Sequence, residues 1–192
     1  MPGKTYAWSF QADTLGQKPA HSMAFGGSWQ VSEDSTGLVA PVPRVLTQSD
    51  GGDGIAYHYL TFTRPMLGDM DASVRFRIRS GEIDPSAGLL FQMDPKGTSG
   101  YLIRVSGKAG ELVFHYLLYG RRRDVKFAKL APPVPGTWHT VSISRRRSML
   151  RASYDGKEMM AVRDDRFSRG TVGVWTEDDT LVDFADLTAT AR

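Results

Sequence analysis

The stretch Gly136-Thr-Trp-His-Thr-Val-Ser-Ile-Ser144, followed by Met149-Leu-Arg-Ala-Ser-Tyr-Asp-Gly-Lys157, decides the fold of this chain. In the first segment Val141 and Ile143 alternate with threonine and serine, and this period of two is typical of a strand with one apolar and one solvated face. The second segment ends in Asp155-Gly156, a pair that favours the tight turn of a β-hairpin. The two segments therefore predict neighbouring strands that place one face in a core.

Similar short apolar runs, separated by glycine, proline and serine, continue through the rest of the chain, and helical periodicity is almost absent. The other predicted strands are Tyr6–Phe10, Trp29–Ser32, Val45–Gln48, Ile55–Thr63, Met70–Arg79, Ala87–Met93, Tyr101–Ser106, Glu111–Tyr119, Val125–Lys129, Glu158–Val162, Thr171–Thr176 and Val182–Thr190. One helical turn is predicted at Asp164–Arg169. Many short strands at regular spacing favour an all-β fold, a two-sheet antiparallel sandwich. We expect one domain over residues 1–192.

The apolar parity of the central strands predicts which side chains fill the space between the two sheets. The predicted core residues are Phe76, Ile78, Leu89, Phe91, Ile103, Val141, Ile143, Val172 and Val174.

The composition excludes several kinds of site. The chain of 192 residues contains no cysteine, which excludes disulfides, thiolate nucleophiles and cysteine-ligated zinc. The first residues lack the apolar core of a signal peptide, and no segment has the length of a membrane span. A cytoplasmic location and the mature start of a secreted protein both remain open, and we expect a monomer.

The charge is unevenly placed. The net charge is +3, but residues 1–96 sum to −2 and residues 97–192 to +5, with much of that excess in the triplets Arg121–Arg123 and Arg145–Arg147. These triplets are either solvated hairpin ends or contacts for phosphates and acidic sugars. No nucleic-acid motif accompanies them, so we expect no nucleic-acid partner. Arg75, Arg77 and Arg79 share one parity and predict a wet sheet face that would also suit an acidic glycan.

A series of motifs runs from Trp29 to Leu187. The motifs are Ala87-Gly-Leu-Leu-Phe, Gly100-Tyr-Leu-Ile-Arg-Val, Trp138-His-Thr-Val, Tyr154-Asp-Gly-Lys, Gly170-Thr-Val-Gly-Val-Trp-Thr and Phe184-Ala-Asp-Leu. In this order they resemble concanavalin A-like and laminin-G-like jelly rolls, and within them the bacterial 3-keto-disaccharide hydrolase-like family. The resemblance implies a jelly-roll sandwich whose concave face holds a carbohydrate. That family commonly has Phe-Asp-Asp-Leu where this chain has Ala185, which puts a structural cation in doubt.

Strand parity predicts a carbohydrate-binding groove on the open sheet face. Its candidate residues are Gln92, Arg104, His115, Tyr119, Trp175 and Glu177. An aromatic ring that stacks on a sugar, together with a few hydrogen-bonding groups, is what a glycan site needs. Trp175 also fits a core position, and His115 also fits a hydrogen-bonded strand residue. If the protein is an enzyme, His115 and Glu177 are the weak catalytic candidates.

Two further groups of acidic residues have the chemistry of a catalytic or a metal site. Glu82-Ile83-Asp84 is similar to the carboxylate motif of laminarinase-like enzymes, but Pro85 interrupts it and Ala87 stands where the third carboxylate belongs, so we do not expect a retaining carboxylate pair here. Asp178, Asp183 and Asp186 are weak candidates for a structural calcium, the one cofactor considered; otherwise none is expected.

The sequence therefore favours a glycan-binding jelly-roll domain whose partner is a carbohydrate, and both a neutral and an acidic carbohydrate remain open. The alternative is a glycoside hydrolase or lyase that acts on a modified sugar such as a 3-keto glycoside. A scaffold domain is a third hypothesis, supported only by the arginine triplets.

Overall fold

The computed structural model describes residues 3–34, 36, 42–52 and 56–192. Within these ranges the chain forms fifteen strands. They are β1 (Thr5–Trp8), β2 (Ser22–Phe25), β3 (Trp29–Glu33), β4 (Arg44–Gln48), β5 (Tyr57–Phe62), β6 (Met70–Ser80), β7 (Ser86–Met93), β8 (Gly100–Ser106), β9 (Glu111–Leu118), β10 (Arg121–Lys129), β11 (His139–Arg146), β12 (Met149–Tyr154), β13 (Lys157–Arg163), β14 (Thr171–Glu177) and β15 (Leu181–Ala191).

The strands form two sheets of eight and seven strands. The eight-stranded sheet has the order β13-β12-β11-β6-β15-β4-β3, with β1 also paired to β15. The seven-stranded sheet has the order β10-β9-β8-β7-β14-β5-β2. Every pairing between these strands is antiparallel. The predicted two-sheet antiparallel sandwich is confirmed.

The core lies between the sheets, where alternate side chains of both layers meet. All of the predicted core residues belong to this buried cluster, which confirms the parity assignments. The hairpin of β11 and β12 is also confirmed, and the residues after Tyr154 turn through Asp155 and Gly156 with positive φ angles.

Several local predictions were wrong. Ser22–Phe25 forms a strand that the sequence analysis missed, and β10 begins four residues before the predicted Val125. Asp164–Arg169 contains no helical turn; instead the Asp164 carboxylate accepts hydrogen bonds from the Tyr101 hydroxyl (2.5 Å) and the Arg166 amide (3.0 Å). Ile55, the predicted start of one strand, lies outside the described residues.

Some of the arginines expected at solvated positions are buried in ion-pair networks. Arg77 is 5% exposed and donates to Asp34 (3.0 Å) and Asp183 (2.7 Å), so the predicted wet face of Arg75, Arg77 and Arg79 is wrong at its centre. Arg145 is 3% exposed, so its triplet is not a wholly solvated hairpin end. In the described part of the chain, no helix has the length and apolar character needed to cross a membrane.

Candidate functional site

The outer face of the seven-stranded sheet carries most of the predicted site residues. Cross-strand register places Trp175 between Tyr59 and Gly88, and places Gly88 opposite Arg104. Since directly opposed residues share a face, Tyr59, Trp175 and Arg104 lie in one row across β5, β14, β7 and β8. His115 lies one row further along the strands, opposite Leu102.

A buried ion cluster occupies the centre of this face. Arg104 donates from one guanidinium nitrogen to both Glu177 and Asp84, the latter at 2.8 Å. The second carboxylate oxygen of Glu177 accepts from Arg122 on the edge strand β10. Glu177 is 3% exposed and Arg104 is 8% exposed. The sheet face therefore holds two guanidiniums and two carboxylates in mutual contact.

Burial and charge act in opposite directions on these carboxyls. Burial raises the pKa of the Glu177 carboxyl, and the Arg104 and Arg122 charges act against that rise. Burial acts in the same direction on Asp84, but hydrogen bonds from Arg104 and Ser106 outweigh it and lower the pKa of the Asp84 carboxyl.

His115 is held beside the cluster by a second carboxylate contact. Its Nδ1 lies 2.8 Å from an oxygen of Asp124, its cross-strand neighbour on β10. The imidazole is 1% exposed, and burial together with the charges of Arg122 and Arg104 lowers its pKa to about 3. At neutral pH the ring is therefore uncharged, and the tautomer that donates Nδ1–H to Asp124 leaves Nε2 as an acceptor.

Four aromatic rings form a continuous stack next to the cluster. Phe25 stacks on Tyr59 with ring centroids 4.7 Å apart, and Tyr59 stacks on Trp175 at 5.1 Å. Tyr57 also packs against Trp175, with ring centroids 4.7 Å apart and ring planes tilted by 43°. The Arg122 guanidinium lies over both, 5.0 Å from the centroid of Tyr57 and 6.0 Å from that of Trp175.

Three buried nitrogens on this face have no hydrogen-bond partner among the described residues: Trp175 Nε1, Arg104 Nε and His115 Nε2. The first two are donors, and the third is an acceptor in the neutral tautomer that donates to Asp124. Leaving a buried polar group unpaired costs about 1–3 kcal/mol, so three such atoms in one patch mark a place where a ligand can supply partners.

The structure thus brings four of the predicted site residues, Arg104, His115, Trp175 and Glu177, to one face. The expectation that they line an accessible groove is wrong, because all four are buried and Trp175, with Arg122 over its ring, is 0% exposed. Trp175 therefore packs as a buried ring rather than as an open platform for a sugar. Whether these residues bind carbohydrate stays a prediction.

Gln92 does not belong to this face, although its parity predicted that position. Its backbone has a φ of 49°, and the pairing of β7 with β14 is irregular between Thr171 and Gly173. The side chain turns to the other sheet, where its carbonyl oxygen accepts from Arg145 at 2.5 Å. The bulge reverses the direction that simple alternation gives.

Tyr119 is also placed elsewhere than expected. It lies after the end of β9, in the turn to β10, with a φ of 52° and 83% exposure. Tyr119 is thus at the tip of a hairpin and outside the ion cluster.

The acidic residues considered for calcium point to different partners. Asp183 accepts from Thr47 (2.9 Å) and Arg77 (2.7 Å) on the eight-stranded sheet, whereas Asp186 pairs with Arg75 at 2.9 Å. Asp178 lies in the turn after β14. Among the residues that the structure describes, no three metal-ligating side chains come together.

Four residues of this site were not predicted from the sequence: Arg122, Asp124, Tyr57 and Asp84. Arg122 belongs to an arginine triplet that indicated a solvated turn. Asp84 belongs to the Glu82-Ile83-Asp84 motif, which was not expected to form a catalytic pair. Asp124 comes opposite His115 only when β10 is extended to Arg121, and no apolar alternation in the sequence marks that extension.

Comparison with known proteins rests on structure, since no protein-family model matches the chain and no curated protein matches it by sequence. The carbohydrate binding module CBM66 from Bacillus subtilis has a TM-score of 0.73 at 17% identity, with 89% of this chain and 96% of that chain covered. The chain has a jelly-roll fold. A Ca²⁺/Man-bound form of the VIP36 exoplasmic/lumenal domain has a TM-score of 0.69 at 10% identity, with 98% and 89% covered. Bacillus licheniformis β-glucanase has a TM-score of 0.63 at 14% identity, with 99% of both chains covered.

These similarities confirm the predicted concanavalin A-like jelly-roll sandwich as a fold. The narrower resemblance to the 3-keto-disaccharide hydrolase-like family stays a prediction.

Proposed function

We propose that this protein is a carbohydrate-binding domain whose site is the outer face of the seven-stranded sheet. The observation that carries the proposal is the set of three unpaired buried nitrogens beside the aromatic stack. Trp175 Nε1–H and Arg104 Nε–H need acceptors, whereas His115 Nε2 needs a donor. A hydroxyl group both donates and accepts, so a polyhydroxylated ligand matches this mixed set better than a simple anion does.

Several structurally similar proteins agree with this chemistry. They include a carbohydrate binding module, a lumenal domain in a mannose-bound form and a β-glucanase. This agreement supports the proposal at the level of fold. The assignment of the binding site rests on the residues of the outer sheet face.

The ligand would reach the buried nitrogens beside Arg122. Its side chain comes from an edge strand, is 19% exposed and lies over Tyr57 and Trp175. Movement of this one side chain would free the ring faces beneath it and one carboxylate oxygen of Glu177, so we assign Arg122 as the cover of the site.

A catalytic alternative is favoured by one observation, the contact between Asp124 and His115, whose Nε2 is free to act on a proton. This arrangement suits a hydrolase or lyase that acts on a modified sugar. However, a pKa of about 3 makes His115 a weak base at neutral pH. Glu177 and Asp84 are both held by Arg104, which leaves neither carboxylate free as a nucleophile. We therefore favour binding over catalysis.

The test begins with a glycan array, which identifies a ligand, and continues with calorimetric titration of that ligand. We expect Tyr57→Ala to weaken binding about tenfold, which corresponds to about 1.4 kcal/mol. Arg122→Ala removes the side chain that covers the site, so we expect this variant to bind more tightly than the native protein. Arg151→Ala is the matched control, because Arg151 is a half-exposed, ion-paired arginine on the other sheet.

An array on which no glycan binds would contradict the proposal, and so would site variants that bind like the control. Incubation of the bound glycan with the protein decides between the two functions: an unchanged glycan supports binding, and released product supports the enzyme.

A further inference from the structure

A cavity of about 490 Å³ lies at the hairpin of β9 and β10, outside the site described above. Its lining residues are Tyr116, Leu118, Tyr119, Arg121 and Arg123. Arg121 is opposite Leu118 and Arg123 is opposite Tyr116, so these four side chains share one face of the hairpin. No carboxylate lines the cavity, and its two guanidiniums make it cationic.

The two arginines of this cavity are unusual in being unpaired. Neither Arg121 nor Arg123 makes a side-chain hydrogen bond or ion pair with any residue in the described ranges, whereas Arg122 between them is bound to Glu177 on the opposite face. Strand alternation thus divides the triplet into one arginine for the outer-face site and two for this cavity.

Tyr119 gives an independent indication that the hairpin has a function. Tyr119 and Gly120 form the turn, and both have positive φ angles, 52° and 75°. This geometry favours asparagine or glycine at the first position, and an aromatic residue there is strained by about 1 kcal/mol or more. The ring is 83% exposed, so burial of the side chain does not offset the strain.

The other aromatic ring of the cavity is already engaged. The Arg166 guanidinium lies 4.4 Å from the ring centroid of Tyr116 and is itself paired with Asp164. Tyr119 is therefore the ring that is free to stack on a ligand, beside two free guanidiniums.

We propose that this cavity binds the anionic group of an acidic sugar, a carboxylate or a sulfate ester, with Arg121 and Arg123 holding the anion and Tyr119 stacking on the sugar ring. Guanidinium groups match the planar, multidentate geometry of such anions, and an aromatic face suits the apolar side of a pyranose. The inference rests on the proposed carbohydrate-binding function and specifies an acidic ligand for it.

The central comparison is between an acidic saccharide and its methyl ester, which differ in charge and little else. The probes are a galacturonate hexamer, its methyl ester, a sulfated oligosaccharide of similar length and a single-stranded DNA 10-mer, each titrated against the full chain. We expect the native protein to bind the galacturonate or the sulfated probe about tenfold more tightly than the ester, with an advantage that falls as salt rises. The carboxylate and sulfate probes show which anion the cavity prefers.

The variants distinguish a specific anion-binding site from a general effect of the protein's net charge on ligand binding. The double variant Arg121→Gln/Arg123→Gln should lose the preference for the charged probe and keep binding of the ester. The control is Arg147→Gln/Arg163→Gln, which removes the same charge from two other exposed arginines. Tyr119→Asn should weaken binding of both saccharides while leaving the melting temperature unchanged or higher, since asparagine tolerates the turn geometry.

Each outcome bears on one proposal or both. If neither charged saccharide binds the native protein more tightly than the ester, or if both double variants lose the same affinity, the anionic cavity is wrong and the carbohydrate site is unaffected. If no saccharide binds in this titration or on the glycan array, both proposals fail. Tighter binding of the DNA than of any saccharide would overturn the acidic-sugar assignment in favour of a phosphate backbone.

Discussion

The buried imidazole of His115 shows how one residue couples the site to stability. It is 1% exposed, lies among two arginines and accepts a proton only when the pH falls to about 3. An unfolded histidine has a pKa of about 6.5. Below that pH the unfolded chain binds a proton that the folded chain excludes, so folding is penalised.

The native protein should therefore lose stability as the pH falls from 6.5 towards 3, by up to about 1.4 kcal/mol per pH unit from this residue. His115→Gln should show a shallower slope, because glutamine keeps an amide donor for Asp124 and does not titrate. Urea unfolding between pH 7 and 5 measures both slopes. Equal slopes for the native protein and the variant would mean that His115 titrates normally in the fold.

At the scale of strands, the outer face depends on close approach of neighbouring backbones at glycine. A β-carbon added at Gly173 would lie 2.3 Å from the carbonyl oxygen of Leu60 on the adjacent strand. That contact is with backbone, so only a separation of β14 from β5 would relieve it. The same two strands carry Trp175, Tyr57 and Tyr59, so their spacing also sets the aromatic stack.

We expect Gly173→Ala to destabilise the fold by about 1–3 kcal/mol, the usual cost of overpacking. Gly68→Ala is the matched control, because its added β-carbon would lie 3.5 Å from the nearest atom, the Ser168 carbonyl oxygen. Urea unfolding of both variants measures the difference. A Gly173→Ala protein as stable as the control would show that β14 and β5 separate at no cost.

Strand-scale predictions from sequence succeeded where apolar alternation was strong and failed where it was weak. The hairpin of β11 and β12 has clear alternation and was found. The first half of β10 is Arg121-Arg122-Arg123-Asp124, an edge segment without an apolar face, so no periodic signal identified it. Ser22–Phe25 is only four residues long and lies on the other edge of the same sheet.

At the scale of the whole molecule, a polar contact crosses the apolar space between the sheets. Arg145 on β11 donates to the side-chain oxygen of Gln92 on β7 at 2.5 Å, and Gln92 donates to the Gly68 carbonyl at 3.0 Å. Both side chains are buried. This contact joins the two layers with a defined alignment, which apolar packing alone specifies less sharply.

A double-mutant cycle with Gln92→Ala and Arg145→Met tests this link. We expect a coupling free energy of unfolding of about 1–3 kcal/mol, because each single change leaves a buried polar partner and the double change removes both. Any change in backbone strain caused by Gln92→Ala is the same with and without Arg145, so it cancels in the coupling free energy. A coupling near zero, measured by urea unfolding, would mean that the sheets are aligned without this contact.

The sequence by itself determined the sandwich, the inter-sheet core and the shared face of Arg104, His115, Trp175 and Glu177. These follow from strand alternation and from the free energy of burying apolar side chains, and both are local properties of the chain.

Only the tertiary structure decided what covers that face. Arg122 reaches Glu177 across 55 residues of sequence, a bulge turns Gln92 into the space between the sheets, and a hairpin turn carries Tyr119 away from the cluster. These outcomes depend on which strands become neighbours and where their pairing slips. Alternation within one strand shows which face a side chain lies on. It does not show which strands pair, where the pairing shifts or which residues pack over that face.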